Sequence, residues 1–174
     1  MTDRAQGILY HLPASELRGD ALLPLRQLQT YYPDLYERHV RKYADRPHHL
    51  HSRVEPLDCT WADVVFLAPV HPLPLFRAMR SSRVPEPWTL DAALLDPART
   101  VIRLMRHGQA GHYPDPHDQH DYLPFTTAGL RAVNRVTQAA LDRLERLQPG
   151  DPVLPWVDVP HVLHRGSIPV DWFQ

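Results

Sequence analysis

The sequence predicts an α+β domain, with a mixed or mostly antiparallel sheet packed against about four helices. Three observations carry that expectation. The apolar patterning gives the order β-α-β-β-α-β-α-β-β, which lacks the strict strand–helix alternation of a doubly wound parallel sheet. Val64-Val65-Phe66-Leu67-Ala68 is an unbroken β-branched and aromatic run, as expected of a strand buried on both faces. Finally, 19 prolines against 7 glycines are spread along the chain, where they punctuate many short elements rather than form one linker. A length of 174 residues suits one domain, so residues 1–174 are read as a single unit without internal repeats.

Taken in order, residues 7–12 form a short β-like run stopped by Pro13, and Ser15-Glu16 could open a helical turn that Gly19-Asp20 closes. Residues 21–25 are extended or entering a helix, with Leu25, Leu28 and Tyr32 at helical spacing. Pro33 restarts the helix from a tolerated first-turn position. Leu35, Tyr36, His39, Val40 and Tyr43 then stripe one face of residues 34–45. A short strand is expected near 50–54, the buried strand at 64–68, and a helix from Leu73 to about Arg83. Residues 90–95 read as a short helix and 100–106 as a strand. Residues 108–124, rich in His, Asp and Pro, read as a mobile loop. Leu130, Val133, Thr137, Ala140, Leu144 and Leu147 mark a helix of about six turns, capped by Thr126 or Thr127 and ended by Pro149-Gly150. Residues 153–157 and 161–165 are the last two strands. In the latter, alternation places His161, Leu163 and Arg165 on one face and Val162 and His164 on the other.

The bulk numbers exclude several function classes. A formal net charge of −1 and a pI near 6.9 give no global attraction to nucleic acid or to an anionic membrane. Almost all positive charge is arginine, and Lys42 is the only lysine. Cys59 is the only cysteine and reads as a small core filler, so neither an intrachain disulfide nor a Cys-based zinc site can form. The polar start MTDRAQG is unlike a secretory signal, and no apolar run nears the ~18 residues of a membrane span. A cytoplasmic location without membrane attachment is the expectation.

The stretch richest in reactive groups is 106–121. In Arg106-His107-Gly108 it resembles the histidine phosphatase (phosphoglycerate mutase-like) family, and His164-Arg165-Gly166 is similar to that family's second His-Gly. The resemblance implies a phosphoryl-transfer enzyme with His107 as nucleophile, Arg106 as clamp and His164 as partner. It keeps the motif but not the family's order, since the motif starts at residue 106 rather than opening the domain. The adjoining His112, Asp115, His117, Asp118, His120 and Asp121 are of metal-ligating type. Pro114 and Pro116 prevent the helical spacing that would align His117 with His120, so no metal site is assigned.

A second resemblance lies at the two ends of the chain. Ile8-Leu9-Tyr10-His11, followed by Leu17, Gly19, Leu23 and Pro24, resembles the opening strand of the ADP-ribosyltransferase-like superfamily. Residues 63–69 and 161–169 are similar to its later strands in hydrophobic shape. The resemblance implies a cleft for a nucleotide-containing small molecule (NAD is a possible cofactor, a nucleic-acid end a possible partner) with His11 on ribose or phosphate. No acid matches the family's catalytic Glu, so Asp63 is taken as the candidate acid and Arg165 as the candidate anion-orienting group. Tyr10 and Trp61 are the candidate ligand-binding aromatics. Each has a plainer role too. Tyr10 and His11 simply point to opposite faces of a strand, Trp61 packs at the core edge with its N–H on a carbonyl, and Asp63 caps a turn. Three classes therefore stay open: a transferase-like nucleotide site, a phosphohistidine enzyme, and a non-enzymatic interaction or structural domain.

Overall fold

A computed structural model of the chain describes residues 4–13, 16–81, 83–106, 119–148 and 156–174. In chain order its strands are β1 (Ile8–His11), β2 (Ala21–Leu22), β3 (Arg53–Val54), β4 (Cys59–Thr60), β5 (Val64–Leu67), β6 (Trp88–Asp91), β7 (Thr100–Arg103), β8 (Tyr122–Pro124), β9 (His161–Arg165) and β10 (Ile168–Pro169). The α-helices are α1 (Leu25–Tyr31), α2 (Pro33–Val40), α3 (Leu73–Ala78), α4 (Thr127–Val133) and α5 (Gln138–Arg146). The sheets are antiparallel and the architecture is α+β.

The centre is a four-stranded sheet in the order β5-β9-β7-β8. Alternation divides its side chains between two cores. Val65, Leu67, Ile102 and Val162 enter one, with Leu9, Leu90, Phe125 and Leu130. Val64, Val101 and Leu163 enter the other, with Val54, Trp61 and Tyr122. Burial on both faces is the reason β5 is apolar throughout. A third cluster joins α3 to α5 through Leu75 and Leu144. The antiparallel pair β1-β6, whose strands are far apart in sequence, extends this layer, because Tyr10 exchanges both backbone hydrogen bonds with Ala68 at 2.8 Å, just past the end of β5.

Several elements differ from the sequence expectation. Residues 88–91 form a strand, not the start of a helix at 90, because Leu90 is buried opposite Leu9. Asp91 then caps a 3-10 turn over Ala92–Leu94 by accepting from the Ala93 N–H at 2.9 Å. The long helix breaks after Val133, and Thr137 starts α5 by accepting from the Ala140 N–H at 3.2 Å. The helix from Pro33 ends at Val40 and continues as a 3-10 turn, while the helix from Leu73 stops at Ala78. Near 50–54 a 3-10 turn over Pro47–His51 precedes a strand of two residues. The strand expected at 100–106 ends early, at Arg103, and Met105 turns away with a φ of 56°. The expected loop 108–124 is shorter at its far end, since Tyr122–Pro124 pairs with β7; residues 108–118 lie outside the described residues. Of the expected strand 153–157, residues 153–155 lie outside them as well, and 156–158 is a turn.

Candidate functional site

The clearest site lies where β1 meets β5. Stitching Tyr10 to Ala68 brings His11 beside Phe66, and the His11 Nδ1 is 3.1 Å from the Phe66 carbonyl oxygen. A carbonyl can only accept, so Nδ1 carries the hydrogen and Nε2 is the lone-pair nitrogen. Burial lowers the His11 pKa below its ordinary value; the Phe66 bond opposes this, and the Lys42 charge adds to it. His11 is therefore a neutral imidazole of fixed tautomer near neutral pH. The rings of Phe173 and Trp88 stand 6.1 and 6.4 Å away.

Two cavities meet at this point, since His11 and Phe66 line both. The first, of about 190 Å³, is bounded further by Lys42, Tyr43, His39 and the turn that carries Pro24. The second, of about 180 Å³, is walled by Tyr10, Pro72, Leu75, Trp156 and His161. Lys42 is exposed in part but lines this cavity, and desolvation lowers its pKa, with Arg46 adding to the effect. His161, the first residue of β9, donates Nδ1–H to the Val159 carbonyl at 2.8 Å. Burial pushes its pKa down to about 4, and Lys42 and Arg103 push in the same direction.

Arg103 stands directly across from His161 in the β7–β9 register and is 2% exposed. Its guanidinium lies 5.0 Å from the Trp61 ring centre and 5.5 Å from that of Tyr122, whose hydroxyl accepts from Nη1 at 3.1 Å. Its buried Nε has no hydrogen-bond partner. Trp61 in turn packs on Phe66 at 4.8 Å and donates its indole N–H to the Tyr43 hydroxyl, rather than to a carbonyl, at 3.2 Å. Lys42, Phe66, Arg103 and His161 are thus the site residues that the sequence reading missed. Two left a signal: Lys42 is the sole lysine, and Arg103 interrupts the apolar run Val101-Ile102 with a charge.

The three residues proposed as catalytic from the sequence are not gathered into one constellation. Asp63 accepts from the Thr60 N–H and hydroxyl at 2.8 and 2.7 Å in a capping box, and it pairs with Arg26. This is the turn-capping role. Arg165 is exposed and donates to the Leu57 carbonyl at 3.1 Å. Both sit at the start of β5, where Val64 pairs with Arg165, whereas His11 sits by Phe66 nearer its end. Tyr10 does line the second cavity, with its ring against His71 at 4.9 Å. Cys59 is a buried filler whose thiol pKa rises to about 11, chiefly through burial and then through Asp63.

Two members of the phosphohistidine set, Arg106 and His164, lie at opposite ends of β7. Arg106 pairs with the buried Asp121 at 2.6 Å, past the far end of β7. His164 pairs with Thr100 at the near end of β7 and is buried on the opposite face from His161. His107 lies outside the described residues, as do His112, Asp115, His117 and Asp118. Among the described residues no group of three or more His, Cys, Asp or Glu is placed to hold a metal ion, and no helix is long and apolar enough to cross a membrane. Comparison with family models, curated proteins and solved structures finds no match for this chain.

Proposed function

We propose that this domain binds a nucleotide-containing small molecule across the two cavities that meet at His11 and Phe66. The observation that carries this reading is their complementary character. One cavity is walled by Tyr10, Trp156 and Phe66 and suits an aromatic base; the other carries the Lys42 ammonium and suits a phosphate. His11, with its hydrogen held on Nδ1, faces the connecting sugar with a hydrogen-bond acceptor. The resemblance of Tyr10-His11 to the opening strand of the ADP-ribosyltransferase-like superfamily supports the same ligand class, with NAD among its members. No transfer step is assigned, because the carboxylate of Asp63 is tied to Thr60 and Arg26.

Thermal unfolding with NAD, AMP, ADP and adenosine tests the proposal. A ligand at about 100 times its dissociation constant stabilises the native state by about 2.7 kcal/mol, which raises the melting temperature by roughly 5–10 °C in a domain of this size. His11→Ala should reduce that shift. The absence of any shift at millimolar nucleotide would overturn the proposal and leave an interaction or structural role.

A further inference from the structure

The surroundings of the two cavities carry a concentration of positive charge out of keeping with a chain whose net charge is −1. Lys42 lines the first cavity, and Arg103 is buried next to His161, which lines the second. Among the described residues, the charged groups that shift His11 and His161 are cations only, namely Lys42 and Arg103. Glu16 is the one carboxylate among the described residues lining either cavity, and it is engaged by Arg18 at 2.7 Å and Arg38 at 2.6 Å. A desolvated cation without a carboxylate partner is costly, and a guanidinium with an unpartnered, fully buried Nε is costlier still. Cation–π contact with Trp61 and Tyr122 offsets part of that cost for Arg103. Lys42, over the Tyr43 ring at 5.2 Å, has a weaker version of the same support.

The geometry points to an oxyanion subsite of the phosphate class in the first cavity, with the Lys42 ammonium as its principal ligand and the Arg103 guanidinium, buried across from His161, as a charge that acts on it from within the protein. A phosphate group fits better than a carboxylate. It brings more negative charge to two cations, and several of its oxygens can accept from the three N–H donors of one ammonium. Phe66 and Trp61 exclude water on one side, which strengthens the attraction. With Nδ1–H held on a backbone carbonyl, His11 and His161 each present Nε2 as an acceptor, to which a protonated phosphate oxygen can donate. The subsite deepens the preceding proposal, which sets a phosphate beside Lys42, by adding the buried charge of Arg103; it rests on that reading for the ester, though not for the anion itself.

Isothermal titration of the full chain at matched ionic strength separates the sources of such an anion. Inorganic phosphate and AMP should both bind, and Lys42→Met should weaken both by about ten-fold or more, the loss expected for one charge-assisted hydrogen bond. Lys42→Arg should restore most of the affinity. Because Lys42 is the only lysine, its modification by an amine-directed reagent, resolved from that of the α-amino group by peptide mapping, is read at a single side chain and should be slowed by phosphate. Phosphate binding that falls in Lys42→Met, without any gain from adding the nucleoside, would support the subsite and overturn the nucleotide reading. Adenosine and AMP binding alike, with no effect of Lys42→Met, would overturn the subsite and keep the nucleotide reading. Failure of phosphate either to bind or to protect Lys42 would overturn it as well.

Discussion

Acidification should destabilise this protein well before its surface carboxylates titrate, and His164 should account for a separable share. The residue is 4% exposed, in the middle of the central sheet. The Thr100 hydroxyl donates to the Asp96 carbonyl at 2.7 Å, so its oxygen must accept from His164 Nδ1–H, 2.9 Å away. Burial, and after it the charge of Arg99, pushes the His164 pKa down to about 4 from an ordinary value of 6.5. Between those values the unfolded chain binds a proton at this position that the native state does not. The stability that the neutral ring contributes is therefore complete above pH 6.5 and is lost as the pH falls through about 4. One proton gives a slope of at most ~1.4 kcal/mol per pH unit, so the interval amounts to about 3 kcal/mol. Urea unfolding followed by tryptophan fluorescence at stepped pH, for the wild type and His164→Asn, isolates this share. The asparagine amide keeps an N–H where Nδ1 was and cannot titrate. At neutral pH the variant should be less stable by about 1–2 kcal/mol from lost packing, and towards the acid end its deficit should shrink or reverse. His11, His39 and His161, whose pKa values burial also lowers, remain in both proteins and cancel in the difference. Parallel stability curves for the two proteins from pH 7 to 4.5 would refute the argument.

Two further substitutions test the structural assignments. Asp63→Ala should cost about 1–2 kcal/mol by removing the capping box and the Arg26 pair; denaturant titration should show the loss, while a nucleotide-induced thermal shift should be unchanged. A catalytic or ligand-binding Asp63 would abolish that shift. In Gly129→Ala, the new Cβ would collide with the Pro124 carbonyl and crowd Ile102 at the start of α4. The variant should lose about 1–3 kcal/mol and melt several degrees lower, and an unchanged melting temperature would show that α4 does not seat as described.

Local chemistry decides how much of this molecule is legible in one dimension. The apolar run at β5 and the alternation of β9 are visible because period and burial act within a few residues. The Thr126 cap of α4, whose hydroxyl accepts from the Gly129 N–H at 3.0 Å, is visible for the same reason. The break between α4 and α5 had its own signal in Thr137, but the apolar spacing runs through it without interruption. Strand β6 is invisible locally because Leu90 is held by Leu9, far away in sequence.

The sequence by itself determined the fold class, the β-strand that ends in His11, and a chain with one lysine, one cysteine and no strong net charge. Those follow from composition and short-range periodicity. Only the tertiary structure decided what His11 meets. The pairing of Tyr10 with Ala68 sets it on the Phe66 carbonyl, and the β7–β9 register sets Arg103 against His161. It also assigned Asp63 to a cap and separated Arg106 from His164 along β7. Hydrogen-bond register between strands distant in sequence is fixed by the burial of whole faces, a property that no single stretch of residues carries.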